Sequence, residues 1–366
     1  VKLALGELAE WSVIAFRQHL NAWVITSGSD IDIDDAIEKA WAEIGKDVEV
    51  ILPLIPEQRP VVAKRHYHEK GTLRWYRVHV LPIDTEVAVD ASKLASGCDG
   101  AFVLSLSGVS PDNSVPSILK VDESSSFTKP ILVGLGKNTQ GILDACFELA
   151  ALKRVNDRLV ELQTDRVARR EIQARISLSQ NVITRLVSDA INSATWFLDG
   201  AEFGEEPGAP LTRLASELSD RVYSQAPPIK NELINRIRPS SSAVAARRLL
   251  MHSMVNKPDQ PSLGIKKYPP EKGLYLSLLK EAGLHHQNKT DEGSFRFIEA
   301  QGGEVPSEYV DLWRAADEFV ERTASGKSPK PFDELYDIWS KPPFGLKAGV
   351  IPVLALTYFM SRSDEL

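Results

Sequence analysis

Cysteine, methionine and aromatic residues are scarce in this 366-residue chain. The two cysteines, Cys98 and Cys146, stand far apart and match no metal or redox spacing. That excludes a disulfide framework and favours a reducing compartment. An excess of positive charge is also missing: 43 Lys and Arg face 50 Asp and Glu, for a net charge of -7. The whole molecule is therefore not a polycation built to coat nucleic acid, and any nucleic-acid site must be a local patch. Long apolar runs are absent too. The run from Val350 to Met360 is too short to cross a bilayer and contains Pro352, and no signal peptide precedes it. The terminal Ser-Asp-Glu-Leu is similar to an ER-retention tail, but without a secretory signal it carries no address. The expectation is a cytoplasmic chain with no membrane partner.

What is present is an ordinary globular composition, 43% hydrophobic and 25% charged, which excludes disorder and collagen. The length fits about two domains, or three, at roughly 150 residues each. The chain opens on Val1 and stops just after an apolar segment. Such a segment needs a partner to cover it, so surface around Ile351, Leu354 and Phe359 is expected to be exposed and the chain reads as a piece of something longer.

Apolar spacing predicts a helix over 2–24, broken at Ser27-Gly-Ser-Asp30, and a second from Asp35 to Ile44, capped by Asp32 or Asp34 and closed by Gly45. Short β-rich runs follow at Val48–Leu54, Arg74–Leu81, Ala101–Leu106 and Pro130–Leu135. From Thr139 onward the pattern is helical: 142–162, 167–198, 211–223, 229–237, 242–255 and 273–282, then 309–323, 331–339 and the last apolar helix. The fold expected is mainly α with a small α/β portion. Its divisions are an N-terminal helical segment (1–48), a small α/β unit (49–138), a helical domain (139–260) and a second helical domain (261–366). The sequence of helix, Lys341-Pro-Pro-Phe-Gly-Leu-Lys-Ala-Gly349 turn and apolar helix predicts the start of a winged-helix-like module near Phe332.

Three stretches invite a chemical reading. Gly134-Leu-Gly-Lys-Asn-Thr139 has the strand, glycine, lysine and helix of a phosphate loop, but Ile131 and Asn138 occupy positions where the full motif needs Gly and Ser or Thr. It reads as a strand-to-helix turn. Lys64-Arg-His-Tyr-His-Glu69 places His66 and His68 on one face of a strand, with His79 opposite, a geometry that suits a metal. The surrounding Lys64, Arg65, Arg74 and Arg77 oppose a divalent ion, and a polar hairpin near Lys70-Gly-Thr72 is the favoured reading. The third stretch is basic. Arg236, Arg238, Arg247 and Arg248 flank Ser240 and Ser241, which cap an Ala-rich helix, so a phosphate-binding patch is expected, unless acidic residues elsewhere in the chain pair with the arginines. Glu171 and Arg175 read as a solvated i, i+4 pair, His252 as a core histidine, and His285-His286 as a loop. No carboxylate pair, Ser-His-Asp triad or nucleophile elbow is apparent, so no catalytic residue and no cofactor is assigned to this segment.

The runs Asn231–Arg236, Ser240–Arg248, Gly273–Gly283 and Pro342–Val353, in that order, resemble the region that follows the ATPase domain in large bacterial P-loop ATPases of phage-defence clusters, the BREX-type group included. The likeness covers mainly residues 140–366. It implies a helical regulatory and coupling region that transmits nucleotide state to DNA or to defence subunits, with ATP and Mg2+ held elsewhere in the parent chain. The alternative is a stand-alone nucleic-acid-binding protein using the Arg236–Arg248 patch. A metal enzyme built on His66, His68 and His79 ranks third.

Overall fold

The computed structural model describes residues 2–10, 13–17, 22–25, 31–45, 47–81, 91–106, 129–204, 206, 208–287, 293–300, 305–324 and 331–362. The break expected at 27–30 and the terminal 363–366 lie outside the described residues.

Alternation in Trp75–Leu81 (β4) buries Tyr76, Val78 and Val80, while Gly100–Ser105 (β5) is buried throughout. These two strands and Ile131–Leu135 (β6) run parallel, as a strand series buried on both faces should. Val61–Val62 (β3) adds an antiparallel edge next to β4, and Thr195–Leu198 (β7) with Ala201–Phe203 (β8) closes the other side. The order is β3-β4-β5-β6-β7-β8. One face meets the long helices Thr139–Arg158 (α6) and Arg166–Asn192 (α7), with Ile33–Ile44 (α2) and Leu211–Val222 (α8) beside them. Phe102, Leu104, Leu132, Ile142, Ile172 and Leu218 share this core. Fully burying each such side chain contributes about 1.5–3 kcal/mol, so this face rather than surface ion pairs holds the unit together. The opposite face has a smaller core of Leu94, Ala101, Val103, Ile131 and Val133.

A second core belongs to the C-terminal third. Ser241–Asn256 (α9), Pro270–Tyr275 (α10) with a π turn over Leu276–Lys280, Ser307–Ala324 (α11), Asp333–Ser340 (α12) and Ile351–Ser361 (α13) bury Leu250, Leu278, Tyr309, Trp313, Trp339 and Leu354 together. The Trp339 indole is fully enclosed but satisfied, donating to the Leu312 carbonyl at 3.2 Å, and it stacks on Trp313 at 6.3 Å. The mainly α reading with a small mixed sheet holds. Helix α12, a turn and helix α13 are present, and no wing strands follow among the described residues.

Several local expectations change. Residues 2–24 are not one helix: Lys2–Glu10 (α1) gives way to a hairpin in which Ile14–Arg17 (β1) pairs with Ala22–Ile25 (β2). Val48–Leu54 is helical rather than extended. The Asp47 carboxylate accepts from Glu49 N–H at 3.0 Å to start Val48–Ile51 (α3), and Pro53, which has no N–H for a sheet, sits in the 3-10 turn that follows. The helix expected through 198 stops at Asn192. Asp199 and Gly200, both at positive φ, turn the chain from β7 into β8. Residues 229–237 form turns, because the Asn231 side chain accepts from Leu233 N–H and Ile234 N–H and competes with the helix ladder. Arg175 is not solvated. It is 6% exposed and ties Asp34 at 2.6 Å and Glu171 at 2.8 Å, joining α2 to α7. His252 is exposed, not a core histidine. His285 is buried on His285–Gln287 (β9), which pairs with Phe295–Phe297 (β10), rather than in a loop. Finally, Ile351 and Leu354 are buried, so the last apolar helix is covered by its own unit rather than exposed; Phe359 is half-buried.

Candidate functional site

The two cores meet at the N-terminal ends of β4 and β5, where the densest polar cluster among the described residues lies. Its centre is Arg74, one residue before β4 and only 1% exposed. Its guanidinium donates Nε–H to His66 Nε2 at 3.1 Å, one Nη to Asp99 at 3.3 Å and the other to the Gly345 carbonyl at 3.0 Å. The flat of the group lies 3.3 Å over the Tyr223 ring. A guanidinium suits this place because it stays charged and presents its donors as a rigid fork while stacking on an aromatic face. Asp99 is shared: one oxygen also accepts from Lys347 Nζ at 2.9 Å, and the other accepts from Trp75 N–H at 3.2 Å.

Since Arg74 can only donate, His66 Nε2 must carry a lone pair and the ring proton sits on Nδ1. That proton goes to Asp220 Oδ1 at 2.7 Å, and the other oxygen of Asp220 accepts from Arg65. Burial first, then the Arg74 charge, pulls the His66 pKa below the ordinary histidine value, against the opposing Asp220 carboxylate. His66 is thus neutral. An aspartate-held imidazole with a bare Nε2 has the makings of a general base, but here that lone pair accepts from Arg74, so the pair orients the guanidinium.

Backbone contacts reinforce the junction. Ile229 N–H donates to the Lys70 carbonyl at 2.8 Å and Gln225 N–H to the Pro343 carbonyl at 3.1 Å, while within the helical unit Gly349 N–H donates to the Arg236 carbonyl at 3.0 Å. Asn235 Nδ2 reaches the carbonyls of Gly71 and Ile229 and the Thr72 hydroxyl, while Lys70 pairs with Glu308 at 2.6 Å. Beside the cluster opens a cavity of about 690 Å³, walled by Trp75, Asp99, Lys129, Asn235, Arg236 and Lys347 among others. Lys347 is held below the ordinary lysine value, first by burial and further by Arg74 and Lys129, against the pull of Asp99. A second hollow, about 750 Å³ between α2 and α6 around the exposed Trp41, has only Glu38 and Asp144 as charged walls.

The residues singled out in the sequence fall in different places. Lys64–Lys70 is a helix (α4) rather than a strand, and His66, His68 and His79 do not converge. His66 has both ring nitrogens engaged, His68 is exposed, and His79 bonds the Leu94 carbonyl at 3.0 Å. Among the described residues no group of His, Cys, Asp and Glu is arranged to hold a metal. In 134–139, Asn138 adopts positive φ ahead of α6, Lys137 is exposed and Thr139 is buried. In the basic stretch, Ser240 caps α9, accepting from Ala243 N–H at 3.3 Å, and Ser241 opens the helix. Arg236, Arg238 and Arg248 are exposed, whereas Arg247 is half-buried and donates to the Gly349 carbonyl at 3.1 Å. Arg74, Asp99, Asp220 and Lys347 were not expected as a group. No spacing links them, and the one local sign is the glycine-bearing turn 344–349.

No helix among the described residues is long and apolar enough to cross a membrane. No family model, no curated protein and no solved structure matches the chain.

Proposed function

We propose that this chain is a coupling region: its helical unit is locked to the α/β sheet so that a change on one side is passed to the other. The observation that supports this is the Asp220–His66–Arg74–Asp99–Lys347 chain, buried apart from the half-exposed Asp220, which takes its members from both units. Removing Asp99 would leave the Arg74 and Lys347 charges buried without their carboxylate, so the two units shift together or not at all. Together with the resemblance of 140–366 to the segment after the ATPase domain in phage-defence ATPases, this makes the chain the non-catalytic arm of such a cytoplasmic ATPase. Its partners are then DNA or defence subunits, and α12 with α13 opens a winged-helix-like module. A Walker-type phosphate loop encoded in frame beside this segment supports the ATPase part, and its absence overturns it.

A second reading, direct nucleic-acid binding, is favoured by the exposure of Arg236, Arg238 and Arg248. The two separate in a salt titration of DNA affinity. A patch using three arginines gives a log–log slope of about −3, removed when the three are changed to Glu. The coupling arm binds weakly, with no dependence on these residues. Arg247 is left unchanged in that variant because it holds the Gly349 loop.

A further inference from the structure

We infer that the cavity beside Asp99 is a binding site for a small ligand that carries a phosphate on an aromatic ring system, of the nucleoside monophosphate class. This goes beyond the coupling reading and stands whether or not that reading holds.

Two features of the walls point to such a ligand. The first is charge. Lys129, Lys347 and Arg236 line the cavity against Asp99 and Glu232, with Arg74 directly behind Asp99. The carboxylate of Asp99 is already shared by Arg74 and Lys347, and Tyr67 donates to Glu232. Positive charge is therefore in excess in a chain whose net charge is -7, and Lys347 sits among cations in a poorly solvated place. An anion lodged near Lys129 and Lys347 relieves that repulsion and gains charge-assisted hydrogen bonds. The second feature is the apolar and aromatic part of the wall: Tyr67, Leu73, Trp75 and Ile237, of which Ile237 is 66% exposed. A flat ring packs on such a surface, whereas a bare inorganic anion gains nothing from it.

Anion and ring on one molecule describe a phosphorylated aromatic ligand such as a nucleoside monophosphate. The volume of about 690 Å³ suits one such molecule, within the roughly 300–1,000 Å³ of small-molecule sites.

The test is calorimetric titration of the full chain with AMP, inorganic phosphate, adenosine and a 5′-phosphorylated adenine trinucleotide. AMP is expected to bind, with each of the other three at least about tenfold weaker. Lys129→Gln should weaken AMP at least about tenfold, and the loss of the Lys129 Nζ hydrogen bond to the Ala95 carbonyl is read separately as any shift of the unliganded unfolding midpoint. Ile237→Asp, at an exposed position on the rim, adds a repelling charge and should weaken AMP while leaving the fold intact. Arg248→Glu, away from the cavity, should leave the affinity unchanged. Absence of AMP binding, phosphate or adenosine binding as tight as AMP, a trinucleotide that binds equally well, or undiminished affinity in both Lys129→Gln and Ile237→Asp each overturns the proposal.

Discussion

Arg74→Ala is expected to destabilise the chain by about 3–5 kcal/mol in denaturant unfolding, the range for removing one partner of a buried ionic group. Four contacts go at once. Asp99 keeps Lys347 but loses its guanidinium partner, His66 loses the donor at Nε2, the Gly345 carbonyl loses its donor, and the Tyr223 ring loses the cation above it. Arg74→Lys is not expected to restore the loss. A lysine ammonium keeps the charge, but it cannot lie flat on Tyr223 while reaching His66, Asp99 and Gly345 in one plane. A lysine variant as stable as the parent would show that charge alone holds the junction.

Gly345→Ala should cost about 3 kcal/mol, and its effect should overlap with that of Arg74→Ala rather than add to it. Gly345 sits at φ +63°, a conformation that L residues other than Gly adopt at a cost of about 1–2 kcal/mol. A Cβ there would also stand 2.3 Å from a ring carbon of Tyr223 and 2.7 Å from Arg74 Nη2, so the ring and guanidinium must move apart. The two residues share partners, so the double variant should be less destabilised than the sum of the singles. Additive losses in a double-mutant cycle would mean that the turn and the guanidinium act separately. Gly349 meets a similar limit: a Cβ would fall 1.9 Å from the Ile234 carbonyl oxygen, which is backbone and cannot step aside cheaply.

How much of this was legible in the sequence depends on how local the determinants are. Strands β4 to β6 show as β-rich runs between breakers, and α2 is announced by Asp32 and Gly45, which do cap and close it. The β7–β8 hairpin carried its sign in Asp199-Gly200, but the apolar spacing of α7 ran on smoothly to Trp196 and Leu198, and period alone cannot show where a helix stops. His66 and His68 sit in a stretch whose composition suits a strand, yet Lys64–Lys70 is a helix that places His66 against Arg74 and Asp220. The junction itself was invisible. Arg74 and Asp99 are 25 residues apart and meet only when β4 and β5 pair, and Asp99 and Lys347 are 248 apart, so that partnership exists only once both units have folded. The basic stretch was visible as composition, but only the fold separates Arg247, turned inward to the Gly349 carbonyl, from the exposed Arg236, Arg238 and Arg248.

The central claim is that the sheet and the helical unit behave as one body through the Arg74 cluster. Native-state hydrogen exchange across a denaturant series measures this most directly, comparing amides of Phe102 to Leu104 in β5 with those of Leu354 to Tyr358 in α13. A single cooperative body gives both sets the same opening free energy, within about 1 kcal/mol, and the same denaturant dependence. If the α13 amides open at a much lower free energy while β5 stays protected, the helical unit unfolds on its own and the coupling account is contradicted.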